Sequence, residues 1–435
     1  MNRYSLRKRK QVSYRDQNPK RPKPSAQKAS KMKLTNVNND CLERIFLHLS
    51  VQDLLNIAHS NKRLKAAADL AFGRNFGGKK SKVVINSRCF QIESNGNSAQ
   101  SIELRNPYRL LRSFGHLISN LVIHKRKVVP YVNQYCCESA TEVTFFEMSK
   151  DDFIGMQKPF MNVEMVCINF CNLKGKSMQL HHCFPKMHTL KLIHVESQPK
   201  CIETHYPHLV HLEIEGPIPT PTIKSTINIL SLNPQLRRLT LDTNYTTEFL
   251  RTASQRLRSL EHLDIRCWAK DLSDFGEDVA NFAGLKVLKI TSFDILKIKI
   301  PIVSSCLQEF SLSFRFSIHY NNKNIIDFLN QHSSIIKLSL ASEFWLASPI
   351  DEEFVKRIMK AVPLVEEIEF HDVKITADGV IQLVKDYKLL KKLRFVMRCS
   401  FDWGSLKANL SIGWEVTEKV KGWNLYIITA IKLSN

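Results

Sequence analysis

One six-residue pattern, apolar-x-x-apolar-x-apolar, returns twelve times between Ile118 and Phe395. It reads "ISNLVI", "ATEVTF", "VEMVCI", "MHTLKL", "LVHLEI", "LRRLTL", "LEHLDI", "LKVLKI", "LQEFSL", "IIKLSL", "VEEIEF" and "LKKLRF" in turn. Its middle apolar residue falls at positions 121, 143, 166, 190, 212, 239, 263, 288, 310, 338, 368 and 393, at steps of 22 to 30 residues. Few folds accept such a chain. Each copy must form the same small unit, and each unit must lie beside the next.

The last two apolar positions of each copy alternate with polar ones, which predicts a short strand with one buried face. Helical stretches separate several copies, among them "STINILSL" and "NIIDFLNQ". "SPIDEEFVKRIMKAV" opens with Ser348 as a cap and Pro349 at the first helical position, and "TADGVIQLVKDY" opens with Thr376 as a cap. Strand–turn–helix units cannot bury their own faces, so they stack into a curved solenoid. The pattern resembles leucine-rich repeats. The Asn or Cys usual three residues after the last strand apolar is mostly missing, with Cys171 and Asn244 as exceptions. The turns are therefore expected to be irregular and the curvature uneven. The fold class is α/β: a small helical unit, then a curved solenoid with a parallel concave sheet. The tail "WEVTEKVKGWNLYIITAIKL" breaks the period and alternates like strands, so it is expected to cap the array.

Composition restricts what such a chain is for. Apolar residues make up 43% of the 435, enough for a packed core. Eleven cysteines in no repeated CxxC spacing fit no zinc or disulfide framework. The basic start has no apolar core behind it, and "LYIITAI" is far too short to cross a bilayer. The expectation is a reduced, intracellular protein with no membrane segment. Net charge is +22, and residues 1–33 hold twelve Lys/Arg against the single acid Asp16. That arm is expected to be disordered. Its clusters "RKRK" (Arg7, Lys8, Arg9, Lys10) and "KRPK" (Lys20, Arg21, Lys23) fit the two grooves of an importin-type receptor. Localisation in the nucleus, the cytoplasm or both follows from that spacing.

Ahead of the array, "CLERIFLHLSVQDLLNIAHSNKRL" is of another kind. Leu42, Ile45, Phe46 and Leu49 recur at helical spacing. Asn38 or Asn39 is the expected N-cap, and Ser50 with Asp53 opens a second helix carrying Leu54, Leu55 and Ile57. So small a helical unit has little core of its own and needs a partner. The stretch resembles the F-box. "VNNDCLERIF" ends on the family's Ile-Phe, "HLSVQDLL" follows without a gap, and "HSNKRL" keeps Lys62 and Arg63, so seven family positions coincide in register. The family's Leu-Pro is Val37-Asn38 here, and its Val-Cys and Trp are replaced by Ser60-Asn61 and Leu64. The resemblance implies docking on a Skp-family adaptor, and through it a cullin and a RING subunit, with the repeats holding a protein substrate for ubiquitination. It implies no catalysis and no cofactor in this chain. The implied contacts are Val37, Leu42, Ile45, Phe46, Leu49, Leu54 and Leu55. The expected division is a basic tail over 1–33, F-box over 34–75, linker and N-terminal cap over 76–115, repeats over 116–400 and C-terminal cap over 401–435. The alternative is a non-catalytic nuclear scaffold whose basic tail associates with nucleic acid or chromatin.

Other constellations carry less. "GRNFGGKKS" resembles a phosphate loop, but Lys80 follows Gly78-Lys79 where Ser or Thr is needed, and a helix rather than a strand precedes it. The glycines read as a helix stop. His181, His182, Cys183, His205, His208 and His211 cluster in sequence, and turn histidines are the expected reading ahead of a metal site. No catalytic signature stands out. On the strands, residues between the buried apolars face the concave side. Arg238, Asp242, His262, Arg266 and Lys289 are the expected substrate contacts, with the arginines suited to an acidic or phosphorylated segment. The mixed charge of this face argues against a nucleic-acid groove.

Overall fold

A computed structural model describes residues 34–78, 81–86, 90–94, 97–102, 107–124, 126–173, 180–195, 203–216, 220–242, 247–267, 281–292, 306–314, 322–342, 350–397, 403–410, 413–421 and 425–433. The basic clusters at Arg7–Lys10 and Lys20–Lys23 lie outside these residues.

Three helices come first: α1 (Asn39–Phe46), α2 (Val51–Ser60) and α3 (Lys62–Phe76). Asn38 caps α1, its side chain accepting from Asp40 N at 3.4 Å. Ser50 caps α2: its Oγ accepts from Asp53 N at 3.1 Å and donates to Asp53 Oδ2 at 2.6 Å. Asn61 caps α3 and accepts from Arg63 N at 2.8 Å. The helix stops where Gly77 N donates to Gly73 O at 3.0 Å, so close that a side chain at Gly77 would strike that carbonyl.

Among the described residues, a sheet of 17 strands follows. It starts with an antiparallel set, β1 (Ser81–Ile85), β2 (Phe90–Ser94) and β3 (Asn97–Ile102). Parallel strands follow: β4 (Asn120–Ile123), β5 (Glu142–Phe146), β6 (Met165–Asn169), β7 (Thr189–Ile193), β8 (His211–Glu215), β9 (Arg238–Asp242), β10 (His262–Cys267), β11 (Val287–Ser292), β12 (Glu309–Phe314) and β13 (Lys337–Ser342). A separate two-stranded ladder, β14 (Ile350–Asp351) with β16 (Val373–Lys374), flanks β15 (Glu367–His371) and β17 (Lys392–Met397). At the end, β18 (Trp414–Lys421) and β19 (Leu425–Lys432) form a hairpin, and β19 lies antiparallel to β17. Thus β4–β13, β15 and β17 carry the twelve copies of the sequence pattern.

The register is uniform. Leu121, Val143, Val166, Leu190, Leu212 and Leu239 are aligned partners from strand to strand, and Leu263, Leu288, Phe310, Leu338, Ile368 and Leu393 continue the row. Every apolar position of all twelve copies is at most 5% exposed, so the repeat is a packing code and not a compositional accident. Stacking identical units turns each strand's single buried face into one continuous core.

Helices lie between the strands: α4 (Pro107–Phe114), α5 (Val129–Cys136), α6 (Lys150–Ile154), α7 (Leu180–Cys183), α8 (Thr220–Leu232), α9 (Thr247–Arg256), α10 (Asn322–Gln331), α11 (Glu352–Ala361), α12 (Ala377–Asp386) and α13 (Trp403–Leu410). Thr376 caps α12, accepting from Gly379 N at 3.0 Å. For α11 the cap is Asp351, accepting from Phe354 N at 2.7 Å, and not Ser348. The β14–β16 ladder draws Ile350–Asp351 into extended backbone, so the helix starts later than its sequence signal. Cys171 packs in its turn as the repeat's cysteine does, its Sγ accepting from Met148 N at 3.3 Å.

Candidate functional site

Two surfaces were expected to bind partners, one on the front helices and one on the concave face. In the front unit, Arg63 ties the start of α3 back to α1, donating to Val37 O at 2.9 Å and to Asn39 Oδ1 at 3.2 Å. Glu43 and Arg74 pair across α1 and α3, and Asn75 donates to Leu47 O at 2.8 Å. These bonds fix α1 against α3, with α2 completing the unit.

Its apolar stripe points inward. Leu42, Phe46, Leu54 and Leu55 are at most 1% exposed and pack with Val51, Ala67, Ala71 and Phe72. They cannot lose further surface on docking, so the structure removes them from the direct contact surface. Ile45 is 48% exposed, while Val37 and Leu49 are half-buried. Leu34 and Leu70, not anticipated, are 44% and 52% exposed.

The unit also has a neighbour within its own chain. Phe72 of α3 stacks on Phe114 of α4, with ring centroids 4.3 Å apart and planes at 8°. The front core is therefore continuous with the array's first layer, which corrects the expectation that so small a unit relies on an external partner for its core.

On the concave face, β9, β10 and β11 bring the five expected residues side by side. Arg238 is aligned with His211 on one side and His262 on the other, and Asp242 with Arg266. Lys289 is aligned with Asp264. Asp242 meets Arg266 as the parallel register allows, and further carboxylates join. Arg266 is held by Glu215 at 2.9 Å and by Asp242 at 3.7 Å. Lys289 is held by Glu309 at 2.7 Å. Neither presents an unpaired cation. Arg238 does: among the described residues no carboxylate lies within ion-pair distance of it, and its guanidinium sits 3.3 Å from His262 Nδ1. Burial, reinforced by Arg238, pushes His211 down to about 4 and also lowers His262. Both imidazoles are thus neutral at pH 7, leaving Arg238 exposed between two uncharged rings. Burial raises the Asp264 carboxyl at the floor of the same depression. Glu215 was missed as the partner of Arg266 because it lies two strands away, although it falls in the same row.

Further along, the charges cancel in pairs: Lys337–Glu367 at 2.9 Å, Arg394–Glu369 at 2.6 Å and Lys391–Glu366 at 2.7 Å. Half-exposed pairs of this kind contribute ~0–1 kcal/mol each. The histidine cluster does not converge. His205 contacts Leu232 O at 2.9 Å, and the His181 ring lies tilted against that of His182. Among the described residues no group of three His, Cys, Asp or Glu is arranged to hold a metal ion, and no helix is long and apolar enough to cross a membrane.

Residues 34–71 match the family model described as F-box domain. These residues form an F-box domain. F-box domains generally bind Skp-family adaptors, and F-box proteins are typically non-catalytic. Behind the F-box, the in-register parallel strands make a solenoid of the leucine-rich-repeat type. A leucine-rich-repeat protein of Leptospira interrogans is similar over 70% of this chain and 85% of its own, at 14% identity and a TM-score of 0.34. The repeat-type fold is argued from the register and burial above, not from that likeness. No curated protein sequence matches the chain.

Proposed function

We infer that this chain is the substrate-recognition subunit of a cullin-type ubiquitin ligase. The F-box docks on a Skp-family adaptor through Leu34, Val37, Ile45, Leu49 and Leu70. The array holds a protein substrate within reach of the ubiquitin-loaded enzyme. One observation carries the reading: an F-box with apolar side chains left exposed is packed, through Phe72 and Phe114, onto a repeat array with a wide strand-lined face. A rigid joint of this kind transmits position from adaptor to substrate. Arg238 is the proposed anchor for an acidic or phosphorylated substrate segment, since no carboxylate among the described residues already pairs with it. Nuclear import through the two N-terminal basic clusters is a further proposal, tested by deleting residues 1–33 and following a tagged protein. The main reading is tested by affinity purification of the tagged full chain. Recovery of the adaptor and cullin supports it. Recovery of neither, from a folded and soluble protein, rejects it.

A further inference from the structure

The strand ends of β4–β7 carry two stacked ring pairs that the reading above does not use. His124, directly after β4, stacks on Phe146 at the end of β5, with centroids 4.2 Å apart and planes at 15°. Phe170 and His194, directly after β6 and β7, stack at 4.7 Å and 18°. The second pair lies one residue further along the strands than the first, because Phe146 is aligned with Asn169. Phe170 is 54% exposed, and His124 and His194 are exposed as well.

The backbone beneath is unusual. Glu147, Phe170 and His194 have φ of 53°, 50° and 47°. Left-handed backbone is uncommon outside glycine and rarer still for a bulky ring. The turn has a structural cause: each residue adds one bond to the ladder, Glu147 N to Asn169 O at 3.0 Å, Phe170 N to Ile193 O at 2.9 Å and His194 N to Glu215 O at 2.8 Å. Gly216 makes the same bond to Asp242 O at 3.0 Å with a φ of 104°. The ladder explains the conformation but not the side chains, because glycine fills that position without strain. His194 leans over Gly216, where any Cβ would collide with its ring. The rings are displayed at a conformational cost, which points to function at the exposed rim.

The chemistry of the rim is one-sided. Asn169 is aligned with Phe146, and its Oδ1 is buried with no hydrogen-bond partner. That atom lies beneath the rim and is not part of its accessible surface. Glu147 stands exposed one strand from Phe170, with no cation within ion-pair distance among the described residues. Burial lowers His124 and leaves it neutral. The cations nearby are committed, Arg126 to Asp152 at 3.4 Å and Lys191 to Glu213 at 2.6 Å. The rim therefore offers ring faces and a carboxylate.

We propose that this shelf docks an arginine of a basic segment on a partner polypeptide, the guanidinium stacking on Phe170 and donating to Glu147. A flat, delocalised cation with several N–H donors satisfies both features at once. A lysine lacks the plane, and a phosphate would meet the carboxylate. The surface is separate from the F-box and from Arg238, and it stands whether or not the chain serves a ligase.

The test uses the full-length protein and short fluorescent Gly/Ser peptides carrying arginine, lysine or phosphoserine, followed by fluorescence anisotropy. The arginine peptide is expected to bind, with the lysine peptide about fivefold weaker. Phe170→Gly should weaken the arginine peptide roughly tenfold, and Glu147→Gln should weaken it to a lesser degree. Glycine accepts the left-handed turn, so the Phe170→Gly unfolding midpoint should be unchanged or higher, which separates lost docking from lost fold. No binding, equal binding of arginine and lysine, tighter binding of phosphoserine, or indifference to Phe170→Gly each overturns the proposal. A variant lacking residues 1–33 identifies the source. If the peptide binds only after that deletion, the chain's own basic arm occupies the shelf and the assignment to a partner is wrong.

Discussion

Replacing Phe114, which lies outside the F-box, should loosen the F-box. Phe72 and Phe114 are both 0% exposed, and their stacked rings join α3 to α4. Truncating a buried Phe to Ala costs about 3–5 kcal/mol through lost transfer energy and the cavity left behind. At 1.4 kcal/mol per decade, amide protection in α1–α3 should fall by roughly two to three and a half decades in Phe114→Ala. Native-state hydrogen exchange reads this helix by helix. A double-mutant cycle with Phe72→Ala should return a coupling of ~0.5–1.5 kcal/mol, the range for stacked aromatic pairs. If α1–α3 keep their protection while β4 and β5 lose theirs, the F-box is an independent unit. The argument that a rigid joint couples adaptor to substrate then fails.

Four further outcomes follow from the same geometry. His211 is depressed to about 4, so the unfolded chain binds the extra proton first; its contribution to stability is whole above pH 6.5 and is lost as pH falls from 6.5 toward 4. Urea midpoints across that window should show the fall, and His211→Gln should flatten it. Asp351→Ala removes the α11 cap and should cost ~0.5–2 kcal/mol in the same assay, whereas Glu215→Gln, opposite the half-exposed Arg266, should cost under ~1 kcal/mol. Arg238→Glu should change the set of proteins captured by the tagged chain, while Arg266→Glu changes it less because Glu215 and Asp242 already hold that guanidinium. Quantitative proteomics on the two variants decides the point, and an identical captured set in both removes Arg238 as the anchor.

The array was legible because its code is redundant. A period-two strand pattern repeated twelve times leaves one register, and each middle apolar residue sits second in its strand. The helix caps were half legible. Ser50 and Thr376 act locally and were readable, but the cap of α11 depends on Ile350–Asp351 pairing with Val373–Lys374, a contact 23 residues away. The F-box stripe was visible at Leu42, Phe46, Leu54 and Leu55, but periodicity shows only that a face is apolar, not what covers it. Here α3 and α4 cover it, and the apolar side chains left exposed are Ile45, Leu34 and Leu70 at the edges. The antiparallel set at β1–β3 gave no clear signal, since "KVVI" and "FQIE" are too short for alternation to stand out. Charge on the concave face could be read row by row, but which pairs close depends on side-chain reach. Arg266 reaches across two strands to Glu215, and sequence spacing alone does not decide that.

The central claim is adaptor docking through the exposed edge of the F-box. Isothermal titration of purified Skp-family adaptor into the full chain tests it most directly, with Leu34→Asp/Ile45→Asp/Leu70→Asp set against wild type. Each side chain has about half its surface left to bury, worth roughly 0.7–1.5 kcal/mol, so the three together should weaken binding by at least about thirtyfold. Because all three are exposed, the variant should keep the wild-type unfolding midpoint. Wild-type affinity in the triple variant, or no binding by the wild-type chain, contradicts the account.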